Sequence, residues 1–98
     1  MIFQVSFSLE AETDFELILN YIAVEFGDQS VGNLKNLVLD FATLLEQFPE
    51  IGSIEIRNKN IRGFVVHRRL KVFYRIKQDK VIILRLFDTR QHPGKSLK

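Results

Sequence analysis

The sequence predicts an α+β domain: an N-terminal strand, an antiparallel helix hairpin, and then a three- to four-stranded, mostly antiparallel sheet. Three observations lead there. Apolar residues recur at helical spacing between Phe15 and Phe48, and they alternate along Ile2–Phe7 and Leu70–Asp88. Turn residues then separate the segments in the order strand, helix, helix, strands, without repeats, linkers or low-complexity runs. At 98 residues the chain has room for one domain. A chain of this size buries roughly 60–65% of its unfolded surface.

Ile2–Phe7 places Phe3, Val5 and Phe7 on one face, the signature of a half-buried strand. Ser8 follows as an N-cap, and Glu10, Glu12, Asp14 and Glu16 fill the turns where negative charge suits the helix dipole. Phe15, Ile18, Leu19, Ile22 and Phe26 form the apolar stripe of a first helix, widened by Leu17 and Tyr21, and Gly27 stops it. A second helix begins near Asp28 or Ser30. Its stripe is Val31, Leu34, Val38, Phe41, Leu45 and Phe48, with Leu37 and Leu44 beside it, and Phe48-Pro49 ends it.

The remaining chain is strand territory: a short Ile54–Arg57 segment, then Ile61–His67, Leu70–Lys77 and Val81–Asp88. A three-residue loop at Gln78-Asp79-Lys80 would pair Ile76 with Ile82, Tyr74 with Leu84 and Val72 with Leu86, all facing the helices. The opposite face would then carry Lys71, Phe73, Arg75, Lys77, Val81, Ile83, Arg85 and Phe87, with Phe73 opposite Arg85 in cation–π range. Phe73, Ile83 and Phe87 would form an apolar patch that a partner, or another part of the chain, covers.

Composition excludes several chemistries. With no cysteine there are no disulfides and no thiolate metal sites. No histidine–carboxylate cluster has ligand spacing, so neither a metal nor another cofactor is expected. There is no glycine-rich phosphate loop and no serine nucleophile elbow. No run approaches 18 apolar residues, and no basic, apolar leader opens the chain, so a cytoplasmic protein is expected. The charge is divided unevenly. Residues 1–50 carry one basic side chain, Lys35, against nine acidic ones, a balance of −8. Residues 51–98 carry thirteen basic against three acidic (Glu55, Asp79, Asp88), a balance of +10. Such asymmetry predicts a polyanion-binding surface, or an acidic helical layer against a basic sheet.

Ile18, Tyr21-Ile22 and Phe26-Gly27 in the first helix, and Pro49 and Gly52 after the second, form part of a recognisable pattern. It continues in Val72-Phe73-Tyr74-Arg75-Ile76, the turn Asp79-Lys80, the strand Val81–Arg85 and the closing Asp88-Thr89-Arg90-Gln91-His92-Pro93. In this order they resemble the RelE/ParE superfamily of bacterial toxins from type II toxin–antitoxin systems. The resemblance covers nearly the whole chain. It implies an antitoxin partner wrapped over the toxin, which would cover Phe73, Ile83 and Phe87. It also implies one of two targets on a similar fold. RelE-like members cut messenger RNA on the ribosome, and ParE-like members poison DNA gyrase.

For metal-free RNA cleavage the resemblance points to Lys71 and Arg90 as phosphate-holding cations and His92 as the general acid. Arg57, Lys59, Arg62, Arg68, Arg69, Arg75 and Arg85 are candidates for contact with the nucleic acid backbone. The bland alternatives are a solvated tail histidine, an Arg90 paired with Asp88, and a basic loop that only meets water. The chain departs from many mRNA-cutting members in having no tyrosine after Tyr74, and Glu55 is its only glutamate after residue 50. Tyr74 itself faces the helices on an alternating strand. The sequence ranks mRNA cleavage first, with gyrase inhibition and a non-toxic, antitoxin-binding relative as alternatives.

Overall fold

The computed structural model describes residues 2–68 and 70–88. Strand β1 (Gln4–Phe7) leads into helix α1 (Leu9–Phe26) and helix α2 (Asp28–Gln47), and β2 (Ser53–Ile56) follows. A single 3-10 turn, Arg57–Lys59, joins β2 to β3 (Ile61–His67), and β4 (Leu70–Lys77) and β5 (Lys80–Asp88) complete the chain. Ser8 caps α1 as expected, its Oγ accepting from the Ala11 N–H at 3.0 Å. Gly27 alone separates the two helices, at φ +90°, where a side chain would strain the backbone. Phe26 and Phe48, counted in the apolar stripes, are about half exposed. Each sits at a helix end.

The five strands form one sheet in the order β1-β5-β4-β3-β2. The alternation along Ile2–Phe7 does not by itself select a partner for the N-terminal strand. That strand pairs with β5 in parallel, Gln4 opposite Lys80 through Phe7 opposite Ile83, and all other pairs are antiparallel. Beyond Phe7 the edge of β5 is taken over by the start of α1. Ser8 N–H donates to Ile83 O (2.9 Å), Ser8 Oγ donates to Leu84 O (2.9 Å), and the Asp14 carboxylate accepts the Leu86 N–H (3.0 Å).

The β4–β5 hairpin corrects the expected register. Its turn has two residues, Gln78-Asp79, with Lys77 opposite Lys80 and Ile76 opposite Val81. Gln78 takes φ +57°, a left-handed conformation that a glutamine seldom advertises. The register then slips: Tyr74 faces Ile83 but Phe73 faces Arg85, leaving Leu84 as an extra residue in β5. Val72 opposite Leu86 is therefore as expected, whereas Val81 and Ile83 turn to the helices instead of away from them.

The core between helices and sheet contains Ala11, Ile18, Ile22, Leu34, Val38, Phe41 and Leu45 against Leu70, Val72, Tyr74, Val81, Ile83 and Leu86. At its centre Tyr74 is fully buried, its ring edge-on to Phe41. Its hydroxyl donates to Pro49 O at 2.6 Å and accepts the Gly52 N–H at 2.8 Å, which pins the α2–β2 loop to the sheet. Burial raises the Tyr74 pKa above its ordinary value, opposed by the Gly52 hydrogen bond. Gly52 has no room for a Cβ, which would lie 2.8 Å from both Gly63 O and the Tyr74 hydroxyl. Tyr74→Phe leaves the buried Gly52 N–H without an acceptor and should lower stability by about 1–3 kcal/mol. Urea unfolding at pH 7 measures it, and a midpoint equal to that of the native chain would show that the bridge contributes nothing.

Candidate functional site

The sheet face away from the helices carries its own small cluster. Ile61, Phe73 and Phe87 are buried there, with Ile56 and Leu84 packed against them and the Phe73 and Phe87 rings edge-to-face at 5.8 Å. Of the two coverings expected for Phe73 and Phe87, the one by the chain itself is seen, and the expectation for Ile83 is corrected. Phe73 is 1% and Phe87 5% exposed, and Ile83 lies in the core on the other side.

Beside this cluster is a polar constellation that crosses three strands. The register of β2 slips at Glu55, with Ile54 opposite Arg62 and Ile56 opposite Ile61. This bulge aims the glutamate over β3. The residue it crosses is Gly63, where a Cβ would stand 2.8 Å from Glu55 Cγ and 3.1 Å from Lys71 Cε. The missing side chain lets Glu55 reach Lys71 on β4, whose Nζ donates to Glu55 Oε1 at 2.8 Å, while Ser53 Oγ donates to Oε2 at 2.9 Å. Lys71 Nζ also lies 5.1 Å from the centroid of Phe73. The Lys71 and Ser53 hydrogen bonds hold the Glu55 carboxyl below its ordinary range, against a small opposing effect of burial. Lys71 was singled out from the sequence, but its partner was not. Glycine inside a strand was the signal available for it.

The other cations divide into engaged and free. Arg85 does not lie over Phe73 as expected. It lies over Phe87 (5.1 Å) and donates to Asp14 through Nε (2.7 Å) and Nη2 (3.1 Å), which raises its pKa. Arg62 braces the loop beneath Tyr74, with Nη1 donating to Gly52 O (2.8 Å) and Glu50 O (3.2 Å). Arg75 Nε donates to Lys59 O at 3.2 Å. Arg57, Lys59 and Arg68 are exposed. Arg69, Arg90 and His92 lie outside the described residues, so of the three candidate catalytic residues only Lys71 is placed. Among the described residues, no group of histidines and carboxylates could hold a metal, and no helix is long and apolar enough to cross a membrane.

A family model described as the ParE toxin of the type II toxin–antitoxin system parDE matches residues 5–93. The chain belongs to the ParE toxin family. The fold agrees with solved structures from that wider group. A structure of the chromosomal ParDE system of Pseudomonas aeruginosa superposes with a TM-score of 0.74 at 17% identity, covering 89% of this chain and 96% of that one. The RelBE2 toxin–antitoxin complex of Mycobacterium tuberculosis gives 0.64 at 19%, covering 90% and 99%. The DinJ-YafQ complex of Escherichia coli gives 0.63 at 14%, covering 96% and 100%. No curated protein matches the chain at a significant level.

The Glu55–Lys71 pair has a testable pH signature. A depressed carboxylate contributes stability above the unfolded glutamate value of about 4.3, and that contribution is lost as pH falls through the lower folded value. In NMR titration the Glu55 carboxyl should titrate below the ordinary glutamate range and move up towards it in Lys71→Met. Gly63→Ala should produce the same rise with every charge left in place. A Glu55 midpoint that neither variant shifts would mean the pair does not form.

Proposed function

We propose that this protein is the growth-arresting toxin of a toxin–antitoxin pair and that it acts as a ParE-like toxin, binding DNA gyrase without cleaving RNA. The single observation that carries this reading over cleavage is the closed Glu55–Lys71 pair. A carboxylate held below its ordinary range by an ammonium and a hydroxyl is a weak proton acceptor at neutral pH. The same contact neutralises the lysine that would otherwise hold a phosphate. The match to the ParE family over residues 5–93 supports the same conclusion.

The antitoxin belongs on the open edge of β3. Strand β2 covers β3 only as far as Gly63, so Phe64–His67, paired with β4 on one side, has no strand on the other among the described residues. Next to that edge Leu37, Phe41, Leu44, Phe64 and Val66 line a groove of about 180 Å³, with Asp40 at its margin. An unpaired edge beside apolar side chains suits an extended segment that adds a strand and seats alternate residues in the groove. The ParDE, RelBE2 and DinJ-YafQ neighbours are all structures of toxin–antitoxin systems, which supports a partner of this kind.

One observation favours ribosome-dependent mRNA cleavage as the second reading. Glu55 and Lys71 place a carboxylate and a cation side by side, and Arg90 and His92 would supply a second cation and an acid. Purified protein in a gyrase supercoiling reaction separates the two. Supercoiling should be inhibited equally by the native chain and by Glu55→Gln and Lys71→Gln. Intact supercoiling, together with ribosome-dependent mRNA cuts that disappear in Glu55→Gln, would overturn the gyrase reading in favour of the nuclease.

A further inference from the structure

The two turns at one end of the sheet gather cations that stand apart from the Glu55–Lys71 pair and from the open edge of β3. The Arg57–Lys59 turn joins β2 to β3, and Gln78-Asp79 joins β4 to β5 at the same end. Within 57–60 and 75–80 are Arg57, Lys59, Arg75, Lys77 and Lys80, against one carboxylate, Asp79. Lys77 and Lys80 are direct cross-strand partners, an arrangement that destabilises a hairpin. No ion pair engages any of the five among the described residues.

The turn that carries Arg57 and Lys59 is fixed to its neighbour. Asn60, at φ +54°, donates through Nδ2 to Ile76 O at 3.3 Å, and Arg75 Nε donates to Lys59 O at 3.2 Å. The Arg75 contact uses Nε, which leaves the terminal nitrogens of its guanidinium for another acceptor. From β3 to β5 this end spans two interstrand spacings, about 10 Å. That is roughly three base-pair rises along a duplex axis, at about 3.4 Å each.

We propose that this end of the sheet docks the phosphate backbone of a nucleic acid duplex. Cations held on a rigid frame, repelling one another and lacking carboxylate partners, are matched by a row of phosphates. The residues of the two turns include no aromatic side chain, and Tyr74, Phe73 and Phe87 are buried. The site therefore offers charge without stacking, which suits a paired backbone better than a single strand. It is separate from Lys71 and Glu55, and it does not depend on the gyrase reading.

The test is equilibrium binding of the purified chain to a fluorescent 20-base-pair DNA duplex over a series of salt concentrations, with a 20-nucleotide single strand alongside. Duplex binding should weaken with salt by about 0.9 logarithmic units per phosphate contact. Lys59→Gln, Lys77→Gln and Lys80→Gln together should make that slope shallower by close to 3. Lys35→Gln, on the exposed side of α2, should leave it unchanged. A slope that survives the triple change, a slope flattened equally by Lys35→Gln, or tighter binding to the single strand would each overturn the proposal.

Discussion

A strand offers two faces, and in this sheet one of them is committed to the helices. The number of residues between the hairpin turn and the end of β5 therefore decides which side chains enter the core. With the two-residue turn at Gln78-Asp79, a regular ladder would carry the Ile76–Val81 register onward. It would then send Leu86 and Phe87 to the wrong sides. The extra residue Leu84 absorbs the difference. Before it, Val81 and Ile83 face the helices. After it, Leu86 does so, and Phe87 joins Phe73 and Ile61 on the far side. The bulge falls where β1 ends and Ser8 and Asp14 take over the edge of β5. The entry of α1 and the change of register are thus one feature of the fold.

A second irregularity builds the polar constellation in the same way. Glu55 and Lys71 sit on strands separated by β3, and a regular β2 with an ordinary residue at position 63 would keep them apart. The slip at Glu55 and the bare backbone of Gly63 remove both obstacles. Gly63 also lies under Gly52, whose N–H is held by Tyr74. The tyrosine bridge and the charge pair consequently meet at one glycine, on opposite faces of the same strand.

Much of this was legible in the sequence. Ser8, Gly27 and Pro49 mark helix boundaries by their backbone chemistry, and the alternation in Leu70–Lys77 located β4 and put Tyr74 in the core. What was not legible lies where the ladder is irregular. Gln78 has none of the residue types that announce a left-handed turn, so an odd-numbered loop fitted the apolar pattern better than the actual one. Once that register was taken, Ile83 fell on the wrong face and the patch with Phe73 and Phe87 followed from it. Glu55 stayed without a role because its partner is sixteen residues away and two strands across, a distance that local periodicity does not reach.

The bulges also change what the charge asymmetry means. Thirteen basic residues after position 50 suggest a uniformly cationic sheet face, yet its cations are not equivalent. Lys71 is neutralised by Glu55, Arg85 by Asp14, and Arg62 is spent on the carbonyls of the α2–β2 loop. Each makes its strongest contact inside the protein, and releasing it would give up a charge-assisted hydrogen bond. The free charge of the described sheet is instead concentrated at its turns. There the backbone geometry is set by Asn60 and Gln78, and no acidic helix residue forms an ion pair with it. A target recognised through charge meets that end first, and one recognised through apolar contact meets the β3 edge beside α2. The two surfaces lie on different parts of the sheet, so a partner strand on β3 need not displace what the turns hold.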